Sequence, residues 1–510
     1  MEPNVATRPL PPDPRAAGRS GKRSGPYRRT VFAFLLGSAL FALAVILSAF
    51  VIDPLQFYHK PWFHKPVYLT EQRYQNPGLA RNYDYETIII GTSMTENFFP
   101  SVVEEAIGGK TVKLSLRGSL ADEQHRIAKV ALGTGKPKTV LWGLDHFALR
   151  TDGLEDQEGA SDYAFPHYLY DDDILNDYRY WFNYYPYLEM AKGLVRQIVT
   201  GRTEDLEHLY NWNDRFVFGE DVTVRHFRTK MAEYAAFAGT KREGPIEAEQ
   251  ASFRKNVLSL IESHPDVKFL IYYPPYSILR HVFWRETNPE RYERQLAMKE
   301  WMFAEFSRYP NVEVYDFQTE AEWTFNLDYY KDMSHHHQDI NTRIAQAIGR
   351  RDPKYLVTAD NVRNFVQELR LQTDEAVVSD DGRLFRVRVL RDGGGPMERL
   401  GFGAMSIGEN GSLLVAAKDL AELLGAKLEW NRQAKRLRLA AGGRSFELTV
   451  GERTALANGE PTALTDAAAI YAGRTLVPLA EAAAAFGWEA TRTDRSGREF
   501  EIVLKMPSSG

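Results

Sequence analysis

An uncharged apolar run near the N-terminus restricts most strongly what this chain can become. It extends from Val31 to Ile52 and reads VFAFLLGSALFALAVILSAFVI. Because a helix rises about 1.5 Å per residue, a run of about 20 apolar residues crosses the hydrocarbon core of a bilayer. The run therefore predicts a transmembrane helix. Tyr58 and Trp62 follow it at positions that suit the membrane–water interface.

The segment before the apolar run predicts its orientation. Basic residues outnumber acidic ones there: Arg8, Arg15, Arg19, Lys22, Arg23, Arg28 and Arg29 stand against Glu2 and Asp13. Because basic flanks stay on the cytoplasmic side, residues 1–30 are predicted to be a disordered cytoplasmic tail. The protein is then a single-pass protein of the cell membrane with its main domains outside. A cleaved signal peptide is the rival interpretation, although the run is long for one and no clear cleavage site follows. A buried core helix is a third interpretation.

Length and composition narrow the protein class. A chain of 510 residues predicts more than one domain, and a net charge of -5 gives no reason to expect nucleic acid as a partner. The chain contains no cysteine. Disulfides, thiolate metal sites and a cysteine nucleophile are therefore excluded.

Alternating strand and helix patterns predict an α/β domain over residues 84–350. The strands are expected at 85–90, 111–116, 139–142, 267–273 and 312–315, and the helices at 100–107, 122–132, 256–263, 291–307 and 341–349. This order predicts a parallel sheet with helices on both faces, in three layers.

An aromatic-rich insertion interrupts this pattern at about 161–240. Eleven of its tyrosine, tryptophan and phenylalanine residues lie between 161 and 194: Tyr163, Phe165, Tyr168, Tyr170, Tyr178, Tyr180, Trp181, Phe182, Tyr184, Tyr185 and Tyr187. One interpretation is a helical insertion whose rings form core. The other is a cap over the active site whose rings stack on sugars.

The C-terminal part has a different pattern. Residues 352–395 are polar and are interpreted as a connector. Residues 405–506 hold a degenerate repeat in which Leu414-Val415 corresponds to Leu476-Val477, and Gly425 to Gly487. Each half is expected to run from a Leu-Val segment into a helix that stops at its glycine. The whole chain is therefore expected to combine a membrane helix, an α/β domain and a small C-terminal α+β repeat domain.

The chemistry-bearing residues lie at two places far apart in the chain. Ser93 follows the first buried strand, where open α/β sheets bind ligands. Asp332 and His335 have the D-x-x-H spacing that lets a carboxylate orient an imidazole, which a serine nucleophile needs as its base. The alternatives are an N-capping serine, a capping aspartate, and a histidine tract at 335–337 that is exposed or binds a metal. No metal site is expected, because consecutive side chains do not converge easily.

Four short blocks in order resemble those of SGNH (GDSL-like) hydrolases. They are Gly91-Thr-Ser93, Gly118, Gly143-Leu-Asp145 and Asp332-Met-Ser-His335. The sequence resembles the membrane-anchored branch that includes alginate-acetylation proteins and DltD proteins of lipoteichoic acid D-alanylation. This resemblance implies a Ser93 nucleophile, a His335 base oriented by Asp332, and an oxyanion hole formed by the amides of Ser93 and Gly118.

Two positions depart from that family pattern. Thr92 replaces the usual aspartate of the first block, and Asp145 stands where the third block usually has an asparagine donor. An ionised carboxylate would repel an oxyanion, so Asp145 must be protonated, point elsewhere or bind a substrate hydroxyl. Arg117 is interpreted either as a binder of substrate carboxylate or phosphate or as part of an ordinary salt bridge. His146 either lines the pocket or is structural.

The C-terminal repeat resembles the copper amine oxidase N-terminal-like domain. The resemblance lies in Gly473-Arg-Thr-Leu-Val-Pro-Leu479 and Gly487-Trp488, with a weaker copy at Leu413-Leu-Val-Ala416 and Gly425 to Trp430. No histidine occurs from residue 405 onward, so copper is not expected, and no cofactor is expected anywhere in the chain. An envelope-binding or spacer role is expected instead.

These features predict a serine acyltransferase or esterase acting on a cell-envelope polysaccharide. A transferase would need an acyl donor, which a multi-spanning membrane acyltransferase could supply as a partner. Two other readings stay open. One is a catalytically inactive SGNH-like scaffold or carbohydrate-binding module in polysaccharide assembly; the other is a signalling or wall-binding receptor that depends on the C-terminal repeat.

Overall fold

The N-terminal apolar run forms one long helix, α1, Gly25–Ile52. The structure is a computed structural model and describes residues 25–150, 165–235, 243–379, 382–471 and 473–506. Most of the predicted cytoplasmic tail, residues 1–24, lies outside the described residues. Within the described ranges, Tyr27–Ile52 is the one stretch long and apolar enough to cross a membrane. It fits a membrane anchor or a signal sequence.

A parallel sheet of five strands organises the first folded domain. Its strands are β1 Thr87–Gly91, β2 Thr111–Lys113, β3 Thr139–Gly143, β4 Lys268–Tyr273 and β5 Val312–Asp316. They lie in the order β2-β1-β3-β4-β5, and every neighbouring pair is parallel. In register, Gly91 of β1 stands beside Gly143 of β3. All five strands therefore end at the same edge.

Helices cover both faces of this sheet, α4 and α11 on one face and α3 and α13 on the other. The helices described in this part of the chain are, in order, α2 Gln72–Asn82, α3 Pro100–Ile107, α4 Ala121–Gly133, α5 Tyr178–Trp181, α6 Tyr184–Thr200, α7 Glu220–Ala235, α8 Ile246–Phe253, α9 Ser259–Ser263, α10 Ile278–Thr287, α11 Pro289–Phe306, α12 Ala321–Thr324, α13 Gln338–Gly349 and α14 Val362–Glu375. A π-helical turn, Arg254–Leu258, joins α8 to α9.

Alternation along β1 divides the core into two layers. Ile88 and Ile90 pack into the layer formed with α4 and α11, while Ile89 packs into the layer formed with α3 and α13. All three side chains are fully buried, because a parallel strand between two helical layers has no solvent-facing side. The predicted parallel sheet with helices on both faces is confirmed.

The first part of the aromatic-rich insertion packs on the segment that follows α1. Tyr168 and Tyr180 are buried with Leu55, Phe57 and Leu69 in a small separate core. These two rings serve as core beside the segment that follows α1, as the first interpretation expected, whereas Tyr178, Phe182 and Tyr184 are exposed. Tyr163 lies outside the described residues.

Residues 352–395, which the sequence led us to interpret as a connector, contain regular secondary structure. They form α14 and then the strands β6 Ala376–Val378 and β7 Leu384–Asp392. β7 reads as polar because arginines alternate with Val387 and Val389, whose side chains are buried. The arginines make ion pairs, such as Arg386 with Glu375 at 2.8 Å. A strand with one buried face has this alternating pattern.

The C-terminal domain is mainly β-structure. Its further elements are β8 Glu398–Leu400, β9 Met405–Ile407, β10 Leu413–Ala416, α15 Ala417–Leu423, β11 Lys427–Asn431, β12 Arg436–Ala441, β13 Arg444–Thr449, β14 Thr454–Ala457, β15 Glu460–Ala463, β16 Ala469–Tyr471, β17 Arg474–Pro478, α16 Leu479–Ala485, β18 Glu489–Ser496 and β19 Glu499–Lys505. They form sheets in the orders β16-β17-β10-β9, β11-β12-β13-β14-β15 and β18-β19-β7-β6.

The predicted repeat has a structural counterpart. β10 and β17 pair antiparallel with Val415 opposite Val477, the equivalent residue of the other half. The helices α15 and α16 are each followed by a glycine in the left-handed region, Gly425 at φ +61° and Gly487 at φ +82°. The two halves therefore pair about a local twofold axis, and their helices stop as the sequence predicted.

The close approach of β1, β3 and β4 at their ends yields a stability prediction. A Cβ atom on Gly143 would lie 2.7 Å from both the Thr95 Cγ2 atom and the Tyr272 hydroxyl. We expect Gly143→Ala to lower the unfolding free energy by about 1–3 kcal/mol through overpacking. The measurement is thermal unfolding of the full chain in detergent. Gly133→Ala is the matched control, because a Cβ at Gly133 meets nothing within 4 Å; equal melting temperatures for the two variants would contradict the expectation.

Candidate active site

The shared edge of the parallel strands collects the candidate residues. Ser93 lies just beyond the end of β1, and Asp145 just beyond the end of β3. Beyond β2, the Leu116 amide donates to the Gly91 carbonyl at 2.9 Å, which carries the following Gly118 to the same edge. Strand ends thus bring together residues that are distant in sequence.

Ser93, His335 and Asp332 form a hydrogen-bonded chain at this edge. The Ser93 Oγ atom lies 2.8 Å from His335 Nε2, and His335 Nδ1 lies 2.8 Å from Asp332 Oδ2. Both distances are those of good hydrogen bonds. Ser93 is partly exposed, and the side chains of His335 and Asp332 are 27% and 21% exposed. The group is therefore ordered by contacts within the protein and still open to solvent on one side.

The Asp332 carboxylate is held in its ionised form. Its Oδ1 atom accepts hydrogen bonds from the amides of Ser334 at 2.7 Å and His335 at 2.9 Å. Burial acts to raise the pKa of Asp332, but the charge of His335 and these hydrogen bonds outweigh it, and the pKa lies well below the ordinary value. An ionised Asp332 fixes the proton of His335 on Nδ1 and leaves Nε2 to accept the proton of Ser93.

The three consecutive histidines at 335–337 have different partners. His336 is buried, and its burial lowers its pKa to about 3, so its ring is neutral. His337 caps α13 by accepting the Asp339 amide at 3.2 Å, and its Nε2 atom lies 3.0 Å from the Asn213 side-chain amide. Because the three rings point to separate surroundings, the tract is not arranged as a metal site. Among the described residues, no group of three histidine, aspartate or glutamate side chains is placed to hold a metal ion.

Buried polar groups fix the turn that carries Ser93. This 3₁₀ turn, Ser93–Thr95, accepts a hydrogen bond at the Met94 carbonyl from the Asn341 side chain of α13, at 2.9 Å. Below it, Lys113 of β2 donates to the carbonyls of Glu96 at 2.7 Å and Phe98 at 2.8 Å. Burial lowers the pKa of Lys113 to about 7. The serine thus stands on a turn that α13 and β2 hold from two sides.

The loop that carries Asp332 and His335 is fixed by the segment after β4. The Ser277 amide and hydroxyl both donate to the Met333 carbonyl, at 3.1 and 2.8 Å. The Tyr330 hydroxyl donates to the Pro275 carbonyl at 3.1 Å. His335 and Asp332 are therefore positioned by the same edge of the sheet as Ser93.

Asp145 points at hydroxyl groups. Its two carboxylate oxygens accept hydrogen bonds from the hydroxyls of Thr92 and Tyr276. The side chain is buried, and burial raises its pKa, although these two donors act in the opposite direction. Both oxygens are thus engaged by hydroxyls of the protein itself, one of them on Thr92, the other position that was singled out in the sequence. The two positions are therefore coupled to each other.

Gly118 and Arg117 follow β2. Gly118 has φ +60°, a conformation that favours glycine, and the tight turn there is closed by the Ser119 amide donating to the Leu116 carbonyl at 3.1 Å. The Arg117 Nε atom lies 3.1 Å from the carboxylate of the buried Glu96, while the Arg117 side chain is 56% exposed. Arg117 thus makes the predicted salt bridge and keeps part of its guanidinium in solvent.

His146 has a structural partner. Its Nε2 atom lies 3.0 Å from a carboxylate oxygen of Glu249 in α8. This contact joins the end of β3 to α8, which agrees with the structural alternative.

Sequence reasoning missed a basic and aromatic group beside the histidine. The Lys331 ammonium lies 4.4 Å from the ring centre of Trp212 and 3.6 Å from that of Phe216. The Trp212 ring meets the His335 ring edge-on, with centres 5.6 Å apart. Trp212 and Phe216 belong to an irregular stretch without periodicity, so the sequence signals them only through the many aromatic residues of the insertion. Lys331 could have been found from its position next to Asp332.

Asp145 yields a pH-dependent stability prediction. Its folded-state pKa is raised above the ordinary 3.8, so a penalty for ionising it in the folded protein grows as the pH rises above that value. Asp145→Asn removes this penalty. We therefore expect the melting temperature of Asp145→Asn minus that of the wild type to be larger at pH 7.5 than at pH 4. Thermal unfolding at both pH values is the measurement; a difference that is constant or reversed would contradict the expectation.

Comparison with known proteins identifies one part of the chain. No curated protein and no solved structure matches the chain. A family model described as "Copper amine oxidase N-terminal domain" matches residues 399–499. The residues there include no histidine or cysteine, so their donor atoms do not fit a copper site. The C-terminal prediction is thereby confirmed: residues 399–499 form a copper amine oxidase N-terminal domain.

Proposed function

We propose that this protein is a membrane-anchored serine acyltransferase or esterase of the SGNH type that acts on a cell-envelope polysaccharide. The observation that carries the proposal is the unbroken chain from Ser93 Oγ through His335 to Asp332, with both links at 2.8 Å. A serine hydroxyl becomes a useful nucleophile at neutral pH only beside such a base.

The proposed reaction proceeds in two steps. In the first, Ser93 Oγ attacks the acyl carbonyl carbon while its proton passes to His335 Nε2. The tetrahedral intermediate then collapses, the leaving oxygen takes that proton, and an acyl-serine remains. In the second step, a sugar hydroxyl or water gives its proton to His335 and attacks the acyl carbon. Ser93 leaves with the proton restored, and Asp332 stabilises the imidazolium throughout.

The proposed oxyanion hole uses backbone amides. We assign it to the amides of Ser93 and Gly118, two residues that follow the neighbouring strands β1 and β2 at the same edge of the sheet. Asp145 is not a third donor in this scheme, since its oxygens already accept from Thr92 and Tyr276. Its role is to brace the residue next to the nucleophile. We assign the exposed part of Arg117 to a carboxylate or phosphate of the polymer.

The anchor is proposed to remain attached to the domain. The last turn of α1 and the chain just beyond it are built into the folded part: Ala49, Asp53 and Leu55 are buried. The carbonyl of Phe50 lies 2.6 Å from His59 Nε2. Because a signal peptidase needs an accessible, extended site, this burial favours an anchor over a cleaved signal. A multi-spanning membrane acyltransferase is the proposed partner that supplies acyl groups for transfer.

A catalytically inactive scaffold or carbohydrate-binding module is the second candidate. It is favoured by Asp145, which replaces a neutral donor with a buried carboxylate. If the oxyanion hole is too weak, the same edge would bind the polymer without reacting.

A fluorophosphonate probe separates the two candidates. We expect it to label the wild-type chain, and Ser93→Ala to abolish the labelling because the phosphorus has no nucleophile to bond. His335→Ala and Asp332→Asn are expected to slow labelling by at least about 100-fold, as in other triads. The measurement is the labelling rate of the detergent-solubilised full chain at neutral pH.

The matched control for that experiment is His337→Ala. His337 caps α13 and does not touch Ser93, so we expect labelling to persist at a rate near that of the wild type. No labelling of folded wild-type protein would favour the scaffold. Equal loss in His335→Ala and His337→Ala would instead assign the whole tract a folding role.

The orientation of α1 gives a separate prediction. A phosphatase reporter fused after the C-terminus is expected to be active, because that enzyme functions only outside the cytoplasm and the basic N-terminal flank should stay inside. The intact mass of the membrane-extracted chain is expected to include α1. An inactive reporter, or a mass that lacks residues before Asp53, would contradict the proposed topology or the proposed anchor respectively.

A further inference from the structure

Helix α6 presents an apolar face to the outside of the domain. Tyr184, Leu188, Val195, Ile198 and Val199 are all exposed, Ile198 to 83% and Val199 to 78%. Spacings of four and seven residues place Tyr184, Leu188, Val195 and Val199 on one side of a helix, and Ile198 borders them. A soluble helix normally turns such a stripe inward. Here the stripe needs an occupant.

The opposite side of α6 is already packed. Pro186, Met190 and Gly193 are buried, and a Cβ on Gly193 would lie 2.3 Å from the Val67 side chain. The Gln197 side chain donates to the Pro66 carbonyl at 2.7 Å. The helix is therefore fixed on the domain by the side that carries Pro186, Met190 and Gly193, and the apolar stripe faces away from the domain.

α6 is connected to the membrane helix through a rigid joint. The Tyr180 hydroxyl of α5, three residues before Asn183 and the start of α6, donates to the Asp53 carboxylate at 2.7 Å. That carboxylate also accepts the amides of Phe57 and Tyr58, at 2.9 and 2.7 Å. Asp53 is the first residue after α1. The exit of the chain from the membrane and the start of the apolar helix are thus one packed unit.

Exposed apolar side chains continue from this joint. Trp62 and Phe63, which follow α1 in the chain, and Leu175 and Phe182, which precede α6, all have more than half of their surface exposed. Aromatic residues are enriched where protein meets the headgroup region of a bilayer. Exposed apolar side chains therefore flank the joint in both segments that form it, and α5, which leads into α6, contacts α1 itself.

We propose that α6 lies in the interface of the bilayer that α1 spans, with its apolar stripe inserted at the boundary between headgroups and acyl chains. The occupant of the stripe is lipid. The joint with α1 supports this choice, and so does the distribution of charge: Lys192 and Arg196 pair with Glu189 and Glu204 on the flank of the helix, and no charged residue lies among the stripe residues. Interfacial helices have this arrangement. The proposal needs α1 as a retained anchor and is independent of any catalytic activity.

The chain offers a clean test because it contains no cysteine. Leu188→Cys and Val199→Cys place a spin label or a bimane on the stripe. Arg196→Cys is the matched control, on the polar flank of the same helix with a side chain that is 64% exposed. Each variant of the full chain is reconstituted, one copy per disc, in nanodiscs of phosphatidylcholine and phosphatidylglycerol, with and without lipids brominated at mid-chain carbons.

The expected result is a contrast between the two sides of α6. Bimane at the stripe positions should lose at least about half of its fluorescence to brominated lipid, and a nitroxide there should collide with oxygen more than with an aqueous nickel chelate. The label at Arg196 should behave as water-exposed. Water-exposed labels at the stripe would overturn the proposal. Labels shielded from both lipid and water would also overturn it, in favour of a protein surface that covers the stripe.

A second variant changes the stripe itself and keeps the label at one position. Ile198→Glu combined with Val199→Glu places two charges on the stripe and should reduce lipid quenching at Leu188→Cys at least about threefold. Fluorophosphonate labelling of Ser93 should be unchanged in this variant, since α6 does not contribute to the catalytic group. Unchanged quenching would contradict the lipid contact, whereas a loss of Ser93 labelling alone would bear on the proposed enzyme and not on the membrane contact.

Discussion

A single contact between two side chains 242 positions apart, Ser93 and His335, gives the first domain its chemical character. Neither residue could reach the other without the parallel sheet, whose strands all end at one edge and carry their following loops there. The sheet in turn depends on strands that are apolar on both faces, because each is enclosed between two layers of helices. The site is therefore a consequence of the core, and changes that loosen the core should loosen the contact.

Polar groups buried beneath the edge determine how rigid that contact is. Lys113, Asn341 and Glu96 bind the backbone or side chains around the turn that carries Ser93, and each is almost wholly buried. A buried polar group costs stability unless its hydrogen bonds are made. These residues are removed from water, and the hydrogen bonds that they make in exchange hold the turn that carries Ser93 in place. Asp145 belongs to the same system, because it engages Thr92 directly before Ser93. The Thr92 hydroxyl and the Asp145 carboxylate thus form one buried hydrogen-bonded pair directly beside Ser93.

How far the sequence could predict the structure depended on the kind of burial. Strand β1 and its neighbours were predictable because Ile88, Ile89 and Ile90 are apolar on both sides. Helix α2 was not, because its buried residues include Gln75 and Asn76, which donate to the carbonyls of Leu55 and Ser115, and no apolar periodicity marks such a face. Strand β7 was missed because ion-paired arginines alternate along it. The serine, histidine and aspartate were predictable from spacing and strand position, whereas Trp212 reaches His335 from an irregular loop that has no pattern to read.

The last sheet of the chain has a consequence for the order in which the protein matures. Its strand order is β18-β19-β7-β6, so the final strand, β19, lies inside the sheet and pairs in parallel with β7, more than a hundred residues earlier. Because β7 is synthesised more than a hundred residues before β19, the edge of β7 that β19 covers has no strand partner until β19 has been made. The sheet therefore closes only after the segment between these two strands has been synthesised, and a chain without β19 would leave that edge of β7 open to pairing with another strand.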